Sequence, residues 1–196
     1  GEVNWSGHSD TETLLNCIAY NGLHATLQLL NGMFALALYD KKNNEVILAR
    51  DRAGEKPLYF GYVNKTFFFG SELKAFKCHP DWHGKINQNA IASYLRHNYV
   101  PAPLSIYENI HKLPAGHYLR VKGFGKEISD PISYWDKENL FNNDKAAATD
   151  DELVDELERL LRNSVRSRII SDVPLGAFLS GGIDSMALLS LLKHFI

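Results

Sequence analysis

Apolar stretches separated by short polar turns dominate the first half of the chain. One continuous apolar run covers residues 33–39, and the polar residues 41–44 separate it from a second stretch at residues 45–49. Two further apolar stretches, at residues 57–63 and 66–70, flank a turn at Asn64. Each pair is typical of a β-hairpin, and the unbroken first run predicts a strand covered on both faces. A last strand is predicted over residues 116–121.

Two helices are predicted beside these strands. The first begins at Ser9 or Asp10, either of which can cap a helix, and Asn21-Gly22 ends it. The second is predicted over residues 88–97. A set of hairpins with a few helices favours an α+β sandwich as the fold of this half.

The second half has a different pattern. Residues 137–149 are rich in Asn, Lys, Asp and Ala and lack periodicity, which predicts a linker between domains. An amphipathic helix follows from Thr149 or Asp150, with the pairs Asp155–Arg159 and Glu158–Arg162 spaced four residues apart. Next come a short apolar stretch at residues 173–179, a glycine-containing loop and a helix from Met186 to Phe195. Strand, glycine loop and helix in this order predict the beginning of a parallel α/β domain.

Composition narrows the class of protein. The chain has 196 residues, a formal net charge of −2 and no run of like charges, so nucleic acid and membranes are not expected partners. The sequence shows neither a membrane-spanning stretch nor a signal peptide, and a cytoplasmic location is expected. Cys17 and Cys78 lie far apart without metal-ligand spacing, and we interpret both as structural. The chain begins without Met and stops within an apolar helical pattern, from which we expect a piece of a longer protein.

The loop at residues 180–185 carries the sharpest chemical signal. Its sequence is Ser-Gly-Gly-Ile-Asp-Ser, and adjacent glycines let backbone N–H groups approach phosphate oxygens at the start of a helix. Asp184 cannot bind phosphate directly, but it can bind a Mg²⁺ ion that bridges pyrophosphate oxygens. The loop has neither Walker A nor dinucleotide spacing. It resembles the SGGxDS loop of the ATP pyrophosphatases; an ordinary capped turn is the competing interpretation.

Several ordered blocks extend this resemblance over nearly the whole chain. Residues 171–185 resemble the SDVPxGxxLSGGxDS block of glutamine-hydrolysing asparagine synthetases. Further blocks similar to those of the same family are GHSDTE at residues 7–12, NGMFA at 31–35, ARDRAGEKPLY at 49–59, SELKA at 71–75, LPAGHY at 113–118 and YWD at 134–136.

The resemblance implies a fold and a division into domains. Residues 1–136 are expected to form a class II amidotransferase domain, an antiparallel β-sandwich with flanking helices that here lacks its N-terminal nucleophile segment. Residues 137–149 are the expected linker. Residues 150–196 are expected to begin the α/β, parallel-sheet ATP-pyrophosphatase domain.

Site residues are carried over from the family block by block. In that family an N-terminal cysteine hydrolyses glutamine, and neither Cys17 nor Cys78 matches its position, so the nucleophile is expected upstream. Gly1 and Glu2 resemble the end of a glutamine-binding Asn-Gly-Glu segment. Asp10 resembles the carboxylate that pairs with the ammonium of glutamine, although a purely helix-capping role is the alternative.

For the second domain, the resemblance implies an ATP site with Mg²⁺ at Asp184. The expected ATP-binding residues are Phe178, Leu179, Ser180, Gly181, Gly182, Asp184 and Ser185. Four other charged residues look catalytic, but we predict that they pair with one another and brace a loop: Arg50, Asp51, Arg52 and Lys56.

The implied reaction is the ATP-driven amidation of aspartate. The carboxylate becomes β-aspartyl-AMP with loss of pyrophosphate, and ammonia released from glutamine displaces AMP. The expected partners are therefore small molecules: glutamine, ATP, and aspartate or another carboxylate acceptor. Two alternatives stay open, an amidotransferase that modifies a sugar acid or peptide carboxyl group, and a non-catalytic module of the same fold. The oligomeric state is also open, a homodimer included. The 196-residue chain by itself is expected to be inactive.

Overall fold

The computed structural model describes residues 5–123, 125–136, 149–193 and 195. The chain divides into two compact units, Gly1–Phe141 and Asn142–Ile196. The predicted linker falls on residues 137–149, of which 137–148 lie outside the described residues. Its extent, and the domain limits beside it, therefore stay predictions.

The first unit combines four helices with eight strands among its described residues. The helices are α1 (Asp10–Asn21), α2 (Leu23–Leu29), α3 (Leu73–Phe76) and α4 (Gln88–His97). The strands are β1 (Ala35–Asp40), β2 (Glu45–Arg50), β3 (Tyr59–Val63), β4 (Thr66–Gly70), β5 (Ile110–Lys112), β6 (His117–Lys122), β7 (Glu127–Ile128) and β8 (Ile132–Ser133).

Local capping residues fix where the predicted helices begin. Ser9 is the N-cap of α1, and its hydroxyl accepts a hydrogen bond from the N–H of Thr11 at 3.1 Å. The side chain of Asn87 caps α4 in the same way by accepting from the N–H groups of Asn89 and Ala90. Both helices are confirmed, α1 with Ser9 rather than Asp10 as its cap. Helix α2, which begins directly after Gly22, was not predicted.

The strands form two antiparallel sheets. One has the order β1-β2-β6-β7, with β8 also paired to β6, and the other has the order β4-β3-β5. Both predicted hairpins are confirmed, as β1–β2 and β3–β4. The prediction that β1 is covered on both faces is wrong: β1 is an edge strand whose Ala37 and Tyr39 are exposed, whereas β2 beside it is largely buried.

Buried side chains connect the two sheets. Leu48 of β2 and Leu119 of β6 share one core cluster with Phe60 of β3. On its other face the first sheet packs against α2, whose Leu23 and Leu27 contact Ile47, Ala49 and Tyr118. A third cluster contains Val63, Phe68, Phe76 and Ile110. The first unit is therefore a mixed helix and antiparallel-sheet structure whose buried apolar side chains form three clusters.

The loop after β2 is held through its backbone. The guanidinium of Arg50 donates to the carbonyls of Gly54, Lys56 and Leu113 at 2.5 to 2.8 Å. The carboxylate of Asp51, only 1% exposed, accepts from the N–H groups of Glu55 and Lys56, both at 2.9 Å. Arg50 and Asp51 thus brace this loop as predicted, but through carbonyl and N–H groups rather than through ion pairs. The guanidinium of Arg52 donates to the carbonyl of Gln28 at 2.6 Å, outside the loop.

Asp51 should therefore contribute stability that depends on pH. Burial alone would raise the pKa of Asp51, but hydrogen bonds from the N–H groups of Lys56 and Glu55 outweigh this effect and lower the pKa below its ordinary value. We expect Asp51→Asn to reduce the free energy of unfolding at pH 7 by about 2 kcal/mol. The NH2 group of Asn would replace one carboxylate oxygen, so one charge-assisted hydrogen bond is lost and the NH2 group faces a backbone N–H group that it cannot accept from.

Urea unfolding at several pH values measures this difference. A carboxyl whose folded-state pKa is depressed stabilises the fold above its unfolded-state pKa and loses that contribution as pH falls through the folded-state pKa. The difference between wild type and Asp51→Asn should thus be constant above about pH 5 and shrink below the ordinary Asp pKa of about 3.9. The exposed Asp130 provides the control Asp130→Asn, which should differ little from wild type. Equal effects of the two substitutions would contradict the prediction.

The described part of the second unit contains two helices, α5 (Asp150–Arg166) and α6 (Ile183–Leu192). Thr149 caps α5 in a reciprocal arrangement with Glu152, which confirms the predicted start of this helix. Arg162 pairs with Glu158 as predicted, but Arg159 pairs with Glu156, three residues before it, rather than with Asp155.

The short strand predicted at residues 173–179 is absent from the described part of this unit. These residues have no regular secondary structure, and Phe178 is fully exposed. An apolar stretch becomes a strand only where a second strand accepts its backbone hydrogen bonds, and residues 149–193 provide none. The predicted parallel sheet therefore stays a prediction.

Candidate functional site

Asp10 lies at the first residue of α1, next to a concave surface. Its carboxylate is exposed, with the hydroxyls of Ser9 and Thr11 3.5 and 3.4 Å from Oδ1. A depression of about 460 Å³ lies on this side of the helix. Its lining residues are Trp5, Ser6, Gly7, His8, Ser9 and Thr13. Asp10 is not among these lining residues, but it directly follows Ser9 in the chain, and its exposed carboxylate is accessible to a small cationic group.

Gly1 and Glu2, the other two residues predicted to bind glutamine, lie outside the described residues. Their relation to Asp10 therefore stays a prediction. Sequence reasoning overlooked Glu12, two residues after Asp10. Its carboxylate accepts from the N–H groups of Ser6 and Gly7 at 2.7 and 2.8 Å, which ties the wall of the depression to the first turn of α1.

The predicted ATP loop lies in the second unit and leads directly into α6. Gly182 is the N-cap of α6 and makes no side-chain capping bond, so the first N–H groups of the helix are not capped by it. Gly181 has a φ of +79°, and the space where its Cβ would lie is empty to 4 Å. Gly181 is thus the glycine that the loop conformation requires; Gly182, with a φ of −81°, is not.

Serine side chains close this loop. The hydroxyls of Ser180 and Ser185 are 2.8 Å apart, so one donates to the other. Asp184 lies in the first turn of α6 beside them. Free helix N–H groups, two hydroxyls and one carboxylate are groups that suit a phosphate with a bound Mg²⁺ ion. The residues present therefore fit the predicted ligand.

A hollow of about 1130 Å³ adjoins the loop, and most of its wall is apolar. Asp184, Ser185 and Phe178 lie on its border, and Leu161 and Leu188 lie in its wall. Of the seven predicted ATP-binding residues, Phe178, Asp184 and Ser185 therefore share one surface. The other four are not in its lining: Leu179, Ser180, Gly181 and Gly182. Arg168, which sequence reasoning passed over, also lines the hollow and donates to the hydroxyl of Ser164 at 2.9 Å.

Two further structural findings bear on the site predictions. Among the residues that the structure describes, no three or more His, Cys, Asp or Glu side chains come close enough together to hold a metal ion. A Mg²⁺ ion at Asp184 would therefore need phosphate oxygens as further ligands. In the same part of the chain, no helix has the length and apolar character needed to cross a membrane.

Comparison with protein families gives two matches along the chain. Residues 1–135 match the glutamine amidotransferase domain, and residues 156–195 match asparagine synthase. A putative glutamine-hydrolysing asparagine synthetase of Methanocaldococcus jannaschii is 34% identical over 192 residues, which is 95% of this chain and 36% of the relative. The chain belongs to the glutamine-hydrolysing asparagine synthetase family.

Other relatives of this family show its range. Asparagine synthetase 3 of Bacillus subtilis is 32% identical over 95% of this chain and 30% of the relative. The amidase chry2 of Gibberella zeae is 30% identical over 100% of this chain and 28% of the relative. The chain thus spans about a third of the length of these relatives. The resemblance drawn from the sequence blocks is confirmed at the level of the family.

Proposed function

We propose that a protein containing this chain makes asparagine from aspartate, with glutamine as the nitrogen source and ATP as the energy source. The observation that supports this most directly is the order of the two matches, a glutamine amidotransferase domain followed by asparagine synthase, in one chain. The first domain would release ammonia from glutamine. The second would activate a carboxylate.

In the first domain, the class II sandwich is the proposed fold, supported by the core cluster that side chains of both sheets share. We propose that Asp10 pairs with the α-ammonium of glutamine, together with contacts from Gly1 and Glu2. A fixed carboxylate at the start of a helix can make this ion pair at little cost in reorganisation. The nucleophile would be an N-terminal cysteine that this chain does not contain.

In the second domain, we propose that residues around 178–185 bind ATP. The N–H groups at the start of α6 and the hydroxyls of Ser180 and Ser185 would hold phosphate oxygens, and Asp184 would hold Mg²⁺. When bound, Mg²⁺ neutralises charge on the departing pyrophosphate. An oxygen of the aspartate side chain would attack the α-phosphorus to form β-aspartyl-AMP and pyrophosphate. Ammonia would then attack the acyl carbon, and AMP would leave.

A second candidate differs only in the acceptor. The fungal relative named as an amidase matches the whole of this chain at 30% identity. A relative with a name other than asparagine synthetase is the observation behind the second candidate, in which the acceptor is a carboxylate other than aspartate. The two candidates share the glutaminase and adenylation steps.

A labelling experiment tests the proposal and separates the candidates. The full-length protein, incubated with amide-¹⁵N-glutamine, ATP, Mg²⁺ and aspartate, should form ¹⁵N-labelled asparagine with equal amounts of AMP and pyrophosphate. Mass spectrometry would identify the amide. Pyrophosphate formed only with a sugar acid or peptide acceptor would establish the second candidate. If no carboxylate supports pyrophosphate formation, the proposed activity is wrong.

A further inference from the structure

The segment before α1 is tied to the helix by a single carboxylate. Glu12 lies in the first turn of α1, and its two oxygens each accept one backbone hydrogen bond. Oε1 accepts from the N–H of Ser6 at 2.7 Å, and Oε2 accepts from the N–H of Gly7 at 2.8 Å. Charge-assisted bonds of this length are among the stronger hydrogen bonds in proteins.

These two bonds have a geometric consequence for Asp10. Ser6 and Gly7 precede Asp10 in sequence and Glu12 follows it. The two hydrogen bonds therefore close a short ring of covalent and hydrogen bonds that contains Asp10. The capping hydrogen bond, from the N–H of Thr11 to the hydroxyl of Ser9, joins two residues of the same ring. The same segment, residues 5–9, forms most of the lining of the depression beside Asp10. Glu12 therefore ties the part of this wall at Ser6 and Gly7 to the same helical turn that carries Asp10.

We infer that Glu12 is a positioning residue for glutamine: it fixes the segment at Ser6 and Gly7, so that Asp10 and the wall of the depression bind the amino acid together. This inference rests on the proposed glutaminase function. Glu12 would act through Ser6 and Gly7, because each of its oxygens accepts a hydrogen bond from one of their backbone N–H groups. Its loss should weaken glutamine binding by loosening the wall, while the ammonia-using half of the reaction is unaffected.

Two substitutions separate geometry from charge. Glu12→Ala removes both acceptors, whereas Glu12→Gln removes the charge but keeps one acceptor oxygen. In the full-length protein we expect Glu12→Ala to raise KM for glutamine about tenfold, the equivalent of about 1.4 kcal/mol, with kcat changed much less. Glu12→Gln should fall between wild type and Glu12→Ala. Asparagine formation from added ammonium salts should stay at the wild-type rate in both.

Asn16→Ala provides the matched control. Asn16 lies on the same helix and donates to the carbonyl of Glu12 at 3.0 Å, but it has no hydrogen bond to Ser6 or Gly7. It should leave KM for glutamine unchanged. A double-mutant cycle with Asp10→Asn adds a second readout, since substitutions that act on one binding site have effects on KM that do not add.

The outcomes distinguish this inference from the proposed function. A wild-type protein without glutaminase activity would remove the proposed function and this inference with it. An active wild type with an unchanged KM in Glu12→Ala would overturn the inference alone. Equal losses with glutamine and with ammonium salts would assign Glu12 a general folding role and also overturn it. If circular dichroism shows that Glu12→Ala does not fold, Glu12→Gln provides the test. A KM for glutamine above that of wild type supports the inference, and an unchanged KM overturns it.

Discussion

Asp184→Ala should abolish acceptor-dependent pyrophosphate formation in a full-length protein that contains this chain. Asp184 lies in the first turn of α6, next to the serine pair that closes the glycine loop. Without it, the proposed Mg²⁺ ion loses its only protein carboxylate in the loop, where negative charge builds up as pyrophosphate departs. Loss of such a stabilising group costs on the order of 10²-fold to 10³-fold in kcat.

A pyrophosphate release assay with saturating aspartate and ATP measures this loss. Glutamine hydrolysis in the same preparation should persist, because the proposed glutaminase site belongs to the other domain. Asp151→Ala is the matched control, since Asp151 also lies in the first turn of a helix of the second unit, α5. It should keep its pyrophosphate formation. If Asp184→Ala retains activity within about threefold of wild type, well below the tenfold that corresponds to about 1.4 kcal/mol, the loop is an ordinary turn.

Asp10→Asn should raise KM for glutamine about a hundredfold, the equivalent of about 2.7 kcal/mol. The substitution keeps the size and shape of the side chain but removes the negative charge that would pair with the ammonium of bound glutamine. A desolvated ammonium without a counter-charge is costly, so binding of glutamine should suffer far more than any later step. Synthesis from ammonium salts should be nearly unchanged because it bypasses this contact.

Steady-state kinetics with each nitrogen source separate this role from helix capping. Ser9, not Asp10, is the N-cap of α1, so Asp10→Asn should change helix stability mainly through the helix dipole, by roughly 0.3–1 kcal/mol. Thermal unfolding of Asp10→Asn measures this change in stability directly. Asp130→Asn again provides the control, with no effect on KM expected. Parallel losses with glutamine and ammonium would assign Asp10 to folding rather than to substrate binding.

The predicted site residues differ in how far the structure bears on them. It places Asp10 beside a depression and brings Asp184 and Ser185 to one hollow. Of the two adjacent glycines predicted in the loop, Gly181 has the positive φ and Gly182 does not. Two adjacent glycines offer the same freedom in sequence, and only the path of the loop decides which of them uses it.

Contacts between distant residues could not be predicted from sequence spacing. Arg50 donates to the carbonyl of Leu113, 63 residues away, and β3 pairs with β5 in the register Tyr59 to Lys112. A pattern of charged residues at 50–56 suggested pairs among neighbours. Backbone carbonyl and N–H groups are present at every residue, so the sequence gives no sign of which of them a buried charge will bind.

The sequence alone determined the features that depend on neighbouring residues, together with the family. Caps at Ser9, Asn87 and Thr149 set the starts of α1, α4 and α5 because a cap needs only the next three residues. Polar turns set both hairpins for the same reason. The tertiary structure decided what depends on partners far along the chain: the edge position of β1, the assembly of two sheets around one core, and the burial of Asp51. It also decided that residues 173–179 form no strand in the described part of the chain, since pairing there requires a neighbouring strand that a local apolar pattern cannot supply.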